Sequence, residues 1–205
     1  MKLKIVATPA NNVHLGSCIM ISVLLDDGKE ALVLVKTKTN SLVVCKRNEK
    51  IFFEMNDFGD ASEIPLRISD ACVTGSLGDT ACSCHVDSIN YLKRMKKYGI
   101  GVFVYLPHEG MGRGLSAKLS DHRLQIGLGI GGKDSYPMSF EESMVILFKD
   151  SRYDSRIYKD VGTLFNQIGL GARTFLYFGE NIRKIEAIKM QTGLRFVMNK
   201  EYIYE

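Results

Sequence analysis

Three of the five cysteines of this chain, Cys72, Cys82 and Cys84, lie close enough in sequence to hold one metal ion. Thiolate sulfur is a ligand that Zn²⁺ prefers, and three protein ligands leave a fourth position for water, which is typical of a catalytic zinc site. His85 follows directly, so a closed structural site with three cysteines and one histidine is an alternative. Buried cysteines without a metal are a second alternative, because free cysteine is often a small core residue.

A glycine-rich segment that follows an apolar run is a second candidate for binding chemistry. Gly110, Gly112 and Gly114 would let backbone N–H groups approach an anion, and Arg113 and Lys118 add positive charge. The spacing matches neither the Walker motif nor the dinucleotide fingerprint. A flexible connection between a strand and a helix is therefore an equally good interpretation of the glycines alone.

Two further polar segments come just after predicted strands, where the sites of α/β proteins cluster. Asp154 and Arg156 belong to the acidic and basic run 150–156, and Arg183 and Lys184 follow a later strand. Surface ion pairs of little energetic value and a solvated helix start are the alternatives. Cations or glycines at three strand ends, together with a predicted zinc site at a fourth, would suit a nucleoside triphosphate beside a Lewis acid.

The elements that must position these residues follow from the hydrophobic pattern. The strands are predicted as a hairpin over 18–36 and as runs at 41–45, 51–54, 67–69, 100–106, 143–148, 174–178 and 195–197. The helices are predicted over 86–98, 115–128, 161–168 and 182–190. The order is strand-rich first and then alternates strand with helix, which favours an α/β or α+β fold with helices packed on a mixed sheet.

No confident linker interrupts the chain, so one domain is expected over 1–205, with a β-rich part at 1–66 and the site in 67–205. The loop at 55–63 is the weakest point of this expectation. Cys18 and Cys45 lie in apolar β-like runs and are interpreted as core residues.

The bulk composition limits the class of protein. The 205 residues are 45% hydrophobic and 24% charged, and the net charge is +4. This charge suits an anionic small molecule and is too small to argue for nucleic acid. The apolar run at the start is too short for a signal peptide, and no stretch approaches the roughly 18 apolar residues of a membrane helix. We therefore expect a cytoplasmic protein with reduced thiols, in which clustered cysteines bind metal.

Read together, these segments resemble the GTP cyclohydrolase II family over about residues 18–200. The family's Cys-Leu-Thr-Gly-Asp and Cys-Asp-Cys-Gly segments are matched by Cys72-Val-Thr-Gly-Ser and Cys82-Ser-Cys84-His85, with a spacer one residue shorter. The strand Arg-Val-His-Ser-Glu-Cys that precedes them is matched by Arg67-Ile-Ser-Asp-Ala-Cys72.

Three more family segments follow in the same order, and the N-terminal hairpin after Gly28 is also similar. The Gln/Glu-Glu-Gly-Arg-Gly-Ile-Gly-Leu-x-x-Lys segment is matched by His108-Glu109-Gly110-Met111-Gly112-Arg113-Gly114-Leu115 and Lys118. Asp-x-Arg-x-Tyr/Phe is matched by Asp154-Ser-Arg156-Ile-Tyr158, and Asn-Asn-Pro-x-Lys by Glu180-Asn-Ile-Arg-Lys184.

The resemblance implies a reaction as well as a fold. In it, Arg156 attacks the α-phosphate of GTP and expels pyrophosphate, with Asp154 as the supporting base. Zinc held by Cys72, Cys82 and Cys84 activates the water that opens the purine at C8, and formate is lost. Magnesium bridges the triphosphate, and the protein is a homodimer. The nucleotide contacts that the resemblance implies are Arg67, Asp70, Asp87, Glu109, Gly110, Arg113, Ser135 and Lys184.

Several positions depart from the family pattern. Met111 replaces an Arg, Ala71 a Glu, Asp87 a Gln, His122 a Tyr and Gly179 a Thr. His122 can still serve as a general acid or base. The leading hypothesis is a zinc-dependent GTP cyclohydrolase, in riboflavin synthesis or in a specialised pathway. The alternatives are an enzyme that stops at a formamidopyrimidine nucleotide, one that uses another purine nucleotide, and an inactive nucleotide-binding homologue.

Overall fold

A seven-stranded mixed sheet organises the larger part of the chain. The computed structural model describes residues 5–41, 43–47, 50–54, 57–78, 83–129, 136–149, 156 and 158–199. The chain forms two compact units. The first, here the sheet unit, comprises 1–69, 83–106 and 158–205, and the second, here the insert unit, comprises 70–82 and 107–157. The expectation of one domain stays a prediction.

The strands are short and separated by turns. They are β1 (Ile5–Asn12), β2 (Gly16–Leu24), β3 (Glu30–Lys36), β4 (Val43–Arg47), β5 (Lys50–Glu54), β6 (Glu63–Asp70), β7 (Gly101–Leu106), β8 (Thr174–Tyr177) and β9 (Arg195–Met198). The large sheet has the order β1-β2-β3-β7-β6-β8-β9, and β4 and β5 form a separate antiparallel pair. Antiparallel pairing joins β1 to β2, β2 to β3 and β3 to β7, whereas parallel pairing joins β6 to β8 and β8 to β9. The mixed α/β class is confirmed.

The helices divide between the two units. The sheet unit contains α2 (Cys84–Tyr98), α5 (Lys159–Gln167) and α6 (Ile182–Thr192). The insert unit contains α1 (Val73–Ser76), a 3₁₀ turn (Glu109–Gly112), α3 (Leu115–Gln125) and α4 (Phe140–Phe148). Within the described ranges, no helix is long and apolar enough to cross a membrane.

The sheet is buried on both faces, and this explains the continuous apolar runs in its strands. Successive side chains of a strand point to opposite faces. Val33 and Val35 join a core cluster with residues of α5 and α6, whereas Leu34 joins the cluster under α2. Phe165 of α5 meets Phe175 of β8 edge to face, with the ring centroids 4.9 Å apart, inside the first cluster.

The helix predictions are confirmed in position, with different ends. α2 begins at Cys84, two residues before the predicted start, and buries Tyr91, Leu92 and Met95. Val86, the first residue of the predicted helix, is 56% exposed. Gly169 follows α5 with a φ of +75°, in the left-handed region that glycine adopts most readily, so the predicted helix end is confirmed.

One predicted strand is wrong, and one strand was missed. The run 143–148 belongs to α4, because Ser139 and Glu142 form a capping box that begins a helix there. The Ser139 hydroxyl accepts from the Glu142 N–H at 3.2 Å, and the Glu142 carboxylate accepts from the Ser139 N–H at 2.8 Å. An apolar run of six residues fits a buried strand or a helix, and the cap decides. The missed strand is β1, whose mixed residues pair with β2 at the edge of the sheet.

Candidate active site

The first cysteine of the predicted zinc site is held by polar donors in the insert unit. Cys72 caps α1, is 4% exposed, and its Sγ accepts from the Gly75 N–H at 3.2 Å. Lys118 of α3 places its Nζ 2.6 Å from the same sulfur. Two donors directed at one sulfur, one of them a cation, favour the thiolate form, which is the form that binds Zn²⁺. Cys72 therefore fits the proposed metal by its surroundings.

The glycine-rich turn connects this sulfur to an acidic side chain. Oε2 of Glu109 accepts from the Val73 N–H at 2.6 Å, and its Oε1 lies 3.7 Å from Lys118 Nζ. Gly110 has a φ of +57°, and a Cβ there would lie 3.4 Å from the Lys118 nitrogen. A side chain at this position would be strained by the positive φ and would lie in van der Waals contact with the start of α3. The turn thus fixes Glu109 and Lys118 beside Cys72.

The backbone of this turn is less open than the glycine pattern suggests. The Gly110 N–H donates to the Glu109 carboxylate, the Arg113 N–H to the Gly110 carbonyl, and the Gly114 N–H to the Glu109 carbonyl. These three donors are engaged inside the turn, so an anion would have to compete for them. The anion cradle stays a prediction.

A second cluster of the insert unit surrounds Arg156, the proposed nucleophile. Asp70, the last residue of β6, holds Nη1 of Arg156 at 2.5 Å through Oδ2. The other carboxylate oxygen of Asp70 lies 3.1 Å from Nδ1 of His108. The three side chains are only 8 to 11% exposed. Ion pairs shielded in this way hold their geometry far better than surface pairs do.

Two more predicted site residues of the insert unit that the structure describes, Arg113 and His122, lie just before α3 and on it. The Arg113 guanidinium stacks over the Phe148 ring, 4.2 Å from its centroid. His122 is half-buried on α3, beside the buried Asp121, whose carboxylate accepts from Gln125 at 2.7 Å and from the Ser143 hydroxyl. The Asp121 contacts tie α3 to α4 and thereby fix the helix that carries His122.

The sheet unit contains three of the predicted nucleotide contacts, Arg67, Asp87 and Lys184. Arg67 donates to Ser69 and to the Phe178 carbonyl, and one of its terminal nitrogens lies 3.4 Å from Asp87. Asp87 also accepts from the Ser83 hydroxyl at 3.0 Å. Two side chains that were both predicted to contact the nucleotide thus form an ion pair with each other.

Lys184 is almost fully buried in the same unit, although a solvated helix start was one interpretation of its segment. Its Nζ donates to the Ile68 carbonyl at 2.6 Å and lies 5.7 Å from the Tyr158 ring centroid. Asn181 caps α6 by accepting from the Lys184 N–H. This cap orients the first turn of the helix and places the lysine against the end of β6.

The predicted metal ligands are only partly within the described residues, because Cys82 lies outside them. The predicted site residues Asp154 and Ser135 also lie outside them. In the described part of the chain no group of three or more His, Cys, Asp and Glu side chains could hold a metal ion. Cys84 is exposed at the first position of α2. A zinc site of Cys72, Cys82 and Cys84 stays a prediction.

Cys18 differs from Cys72 in its surroundings, as expected for a core thiol. It is buried under α2, and burial raises its thiol pKa. The prediction that Cys18 belongs to the core is confirmed, and the Cys45 side chain lies outside the described residues. A raised pKa disfavours the thiolate, so Cys18 is poorly suited to hold a metal.

Sequence reasoning missed the two contacts that organise the insert unit. Lys118 was assigned to an anion cradle, and its contact with Cys72 spans 46 residues of sequence. The Asp70–Arg156 pair spans 86 residues, and His108 was not singled out as a site residue. No local pattern reports pairs so distant, and only the position of each residue in its own motif could have suggested them.

Comparison with known proteins supports the same family. Residues 22–170 match the GTP cyclohydrolase II family. A protein named GTP cyclohydrolase-2 from Actinobacillus succinogenes is 28% identical over 144 residues, which cover 70% of this chain and 60% of that protein. Riboflavin biosynthesis protein RibBA of Thermotoga maritima is 30% identical over 138 residues, covering 67% and 32%.

A plant relative matches a shorter part. The probable monofunctional riboflavin biosynthesis protein RIBA 3 of Oryza sativa is 31% identical over 116 residues, 56% of this chain and 21% of that protein. The chain thus spans about a fifth of the length of this plant relative. The family match nevertheless covers most of the chain and includes Cys72, the glycine-rich turn and Arg156. The chain belongs to the GTP cyclohydrolase II family.

Proposed function

We propose that this protein is a zinc-dependent GTP cyclohydrolase that opens the guanine imidazole ring at C8 and releases formate and pyrophosphate. The product is a diaminopyrimidine ribosyl phosphate. The observation that carries the proposal is the arrangement of the insert unit, where Cys72, whose sulfur contacts Lys118 Nζ, and Arg156, which is anchored by Asp70, belong to the same compact unit. Membership of the family supplies the substrate class.

The phosphate chemistry falls to Arg156. One guanidinium nitrogen attacks the α-phosphorus of GTP, a P–N bond forms, and the P–O bond to pyrophosphate breaks. Pyrophosphate leaves with the electron pair, and Asp154 takes the proton from the attacking nitrogen. Guanidinium is protonated at neutral pH, so this step depends on that base. Water later cleaves the P–N bond and regenerates the arginine.

Charge on the phosphates and on the base is met by other side chains. Arg67, Arg113 and Lys184 stabilise the triphosphate together with Mg²⁺. Glu109, Gly110, Asp87 and Ser135 complete the nucleotide contacts that we propose. When bound by Cys72, Cys82 and Cys84, zinc would supply a Lewis acid that lowers the pKa of water. His122 exchanges the proton needed for ring opening, in the place of the family's tyrosine.

We extend the proposal to the protein's setting. The relatives that carry riboflavin biosynthesis names suggest that the diaminopyrimidine product enters that pathway. We propose a homodimer in the cytoplasm, where reducing conditions keep the cysteines available to zinc.

The decisive experiment follows formate, pyrophosphate and product mass together, with zinc-loaded protein, Mg²⁺ and each common nucleoside triphosphate. Formate and pyrophosphate from GTP are the expected result. Cys82→Ser should lose zinc and ring opening, and Arg156→Ala should lose pyrophosphate release. Asp27→Asn, in the exposed turn between β2 and β3, is the matched control and should behave as the wild type.

Other outcomes separate the alternatives. Ring opening without formate would identify an enzyme that stops early, and the histidine at position 122 is the residue that motivates this alternative. Turnover of another purine would show altered selectivity. Nucleotide binding with no product, unaffected by Arg156→Ala, would refute the proposal and identify an inactive homologue.

A further inference from the structure

A buried three-membered cluster in the insert unit links Arg156 to the end of β6 and to the glycine-rich turn. The two oxygens of Asp70 have different partners. Oδ2 holds Nη1 of Arg156 at 2.5 Å, and Oδ1 lies 3.1 Å from Nδ1 of His108. With exposures of 8 to 11%, all three side chains are largely removed from water. We propose that Asp70 is a positioning residue that orients the Arg156 guanidinium for attack, and that His108 fixes the Asp70 carboxylate.

The need for such a residue follows from the chemistry of an arginine nucleophile. The side chain has several rotatable bonds, and about 2 kcal/mol of rotamer entropy must be lost when one nitrogen is held in place. An in-line displacement tolerates little misalignment, since a shift of about 1 Å can cost about 100-fold in rate. A carboxylate at the end of a sheet strand restrains one face of the guanidinium and so reduces both problems.

The position of His108 explains why one carboxylate can do this. A carboxylate held at one oxygen alone can rotate about its C–C bond and carry its partner with it. His108 occupies the second oxygen from the residue directly before the 3₁₀ turn, so rotation is opposed. The family segments quoted above carry Ser and Gln or Glu at these two positions, so the arrangement belongs to this chain.

The inference rests on the proposed function, because it concerns the arginine that expels pyrophosphate. The test measures steady-state pyrophosphate release and, separately, the rate at which phenylglyoxal modifies Arg156, read as the mass of its peptide. We expect Asp70→Asn to lower kcat about 100-fold with a KM for GTP within about threefold of wild type. We expect the modification of Arg156 to be faster in the same variant.

Matched variants keep the result interpretable. Asp70→Glu retains the charge on a longer arm and should recover part of the lost rate, and His108→Gln should lose less than Asp70→Asn. Asp27→Asn, an exposed aspartate-to-asparagine change, should leave both readings unchanged. If Asp70→Asn fails to fold by circular dichroism, Asp70→Ser, which installs the family's residue, takes its place.

The outcomes are distinguishable from failure of the function itself. If wild-type protein releases no pyrophosphate, or Arg156→Ala releases as much, the proposed function fails and this inference with it. If the wild-type protein releases pyrophosphate and Arg156→Ala does not, the inference stands only when the Asp70 variants change kcat and the modification rate together. A change in one reading alone, or in neither, overturns it and leaves the proposed function intact.

Discussion

Replacing Lys118 by methionine should weaken zinc binding, because this lysine is the cation that contacts the Cys72 sulfur. Its Nζ lies 2.6 Å from Sγ, and the side chain is 12% exposed, so water screens the contact poorly. In the proposed zinc site, three thiolates and one Zn²⁺ would leave one negative charge in excess, which the ammonium would offset. Methionine keeps the length and the apolar stem of the lysine and removes the charge.

The magnitude follows from the type of contact. A hydrogen bond to a charged group contributes roughly 1.5–3 kcal/mol. Removal of groups that support metal ligands lowers metal affinity by about 10- to 100-fold, which corresponds to roughly 1.4–2.7 kcal/mol. The two ranges overlap, and we expect Lys118→Met to bind zinc about 30-fold more weakly than wild type.

The assay is competition for zinc between the metal-free protein and a chromogenic chelator at one fixed pH and salt concentration. Lys118→Arg keeps the charge and should lose much less affinity than Lys118→Met. Lys29→Met, at the exposed turn before β3, is the surface control. Glu109 lies 3.7 Å from Lys118. The double variant of Lys118→Met with Glu109→Gln therefore tests whether the carboxylate that loses its lysine contributes to the loss of zinc affinity.

Two results would refute the reasoning. We expect Lys118→Met to lose zinc affinity through its missing charge, so equal losses in the methionine and arginine variants would show that packing is the cause. An affinity within about twofold of wild type in Lys118→Met would show that the lysine does not support the metal ligand at all.

Two further predictions concern stability. A Cβ added at Gly162 of α5 would lie 2.9 Å from the Cβ and 3.3 Å from the backbone Cα of Thr192. Because this overpacking exceeds the gain in helix propensity, Gly162→Ala should destabilise the protein by about 1 kcal/mol, as measured by urea unfolding. A net gain would show that Thr192 yields. Hydrogen bonds from the backbone and side chain of Ser139 lower the pKa of Glu142, so the stability they add is present above its unfolded pKa and is lost as the pH falls through the folded value. Thermal melts should therefore separate wild type from Glu142→Gln at neutral pH and bring them together in acid; a constant gap would contradict this.

The fold was predictable where a pattern has one physical meaning. The periodicity of α2 and the apolar run of β7 identified both elements, because burial of one helix face or of two strand faces leaves a distinct signature. The run 143–148 was misread because its pattern fits two structures, and the local cap at Ser139 decided between them. The edge strand β1 has no continuous apolar face, so its signal was weak.

The candidate site was predictable in its residue types and much less so in its contacts. Cys72, Glu109 and Arg156 were identified from motifs, because each motif is local. The pairs that restrain them cross 46 and 86 residues, and only the folded chain brings such partners together. A sequence therefore identifies candidate reacting groups more readily than the side chains that hold them.

Two departures from the family pattern share one physical consequence. Asp70 stands where the family segment has Ser and contacts Arg156, and Asp87 stands where it has Gln and lies 3.4 Å from Arg67. Each exchange replaces a neutral side chain by a carboxylate beside an arginine that the family segments also carry. If the proposed function holds, a triphosphate would meet less net positive charge at each of these arginines, while the neighbouring carboxylate restrains the arginine side chain. Under the proposed function, an oriented group contributes more to a transition state than a mobile one, so this chain would exchange attraction of the substrate for orientation of the groups that act on it.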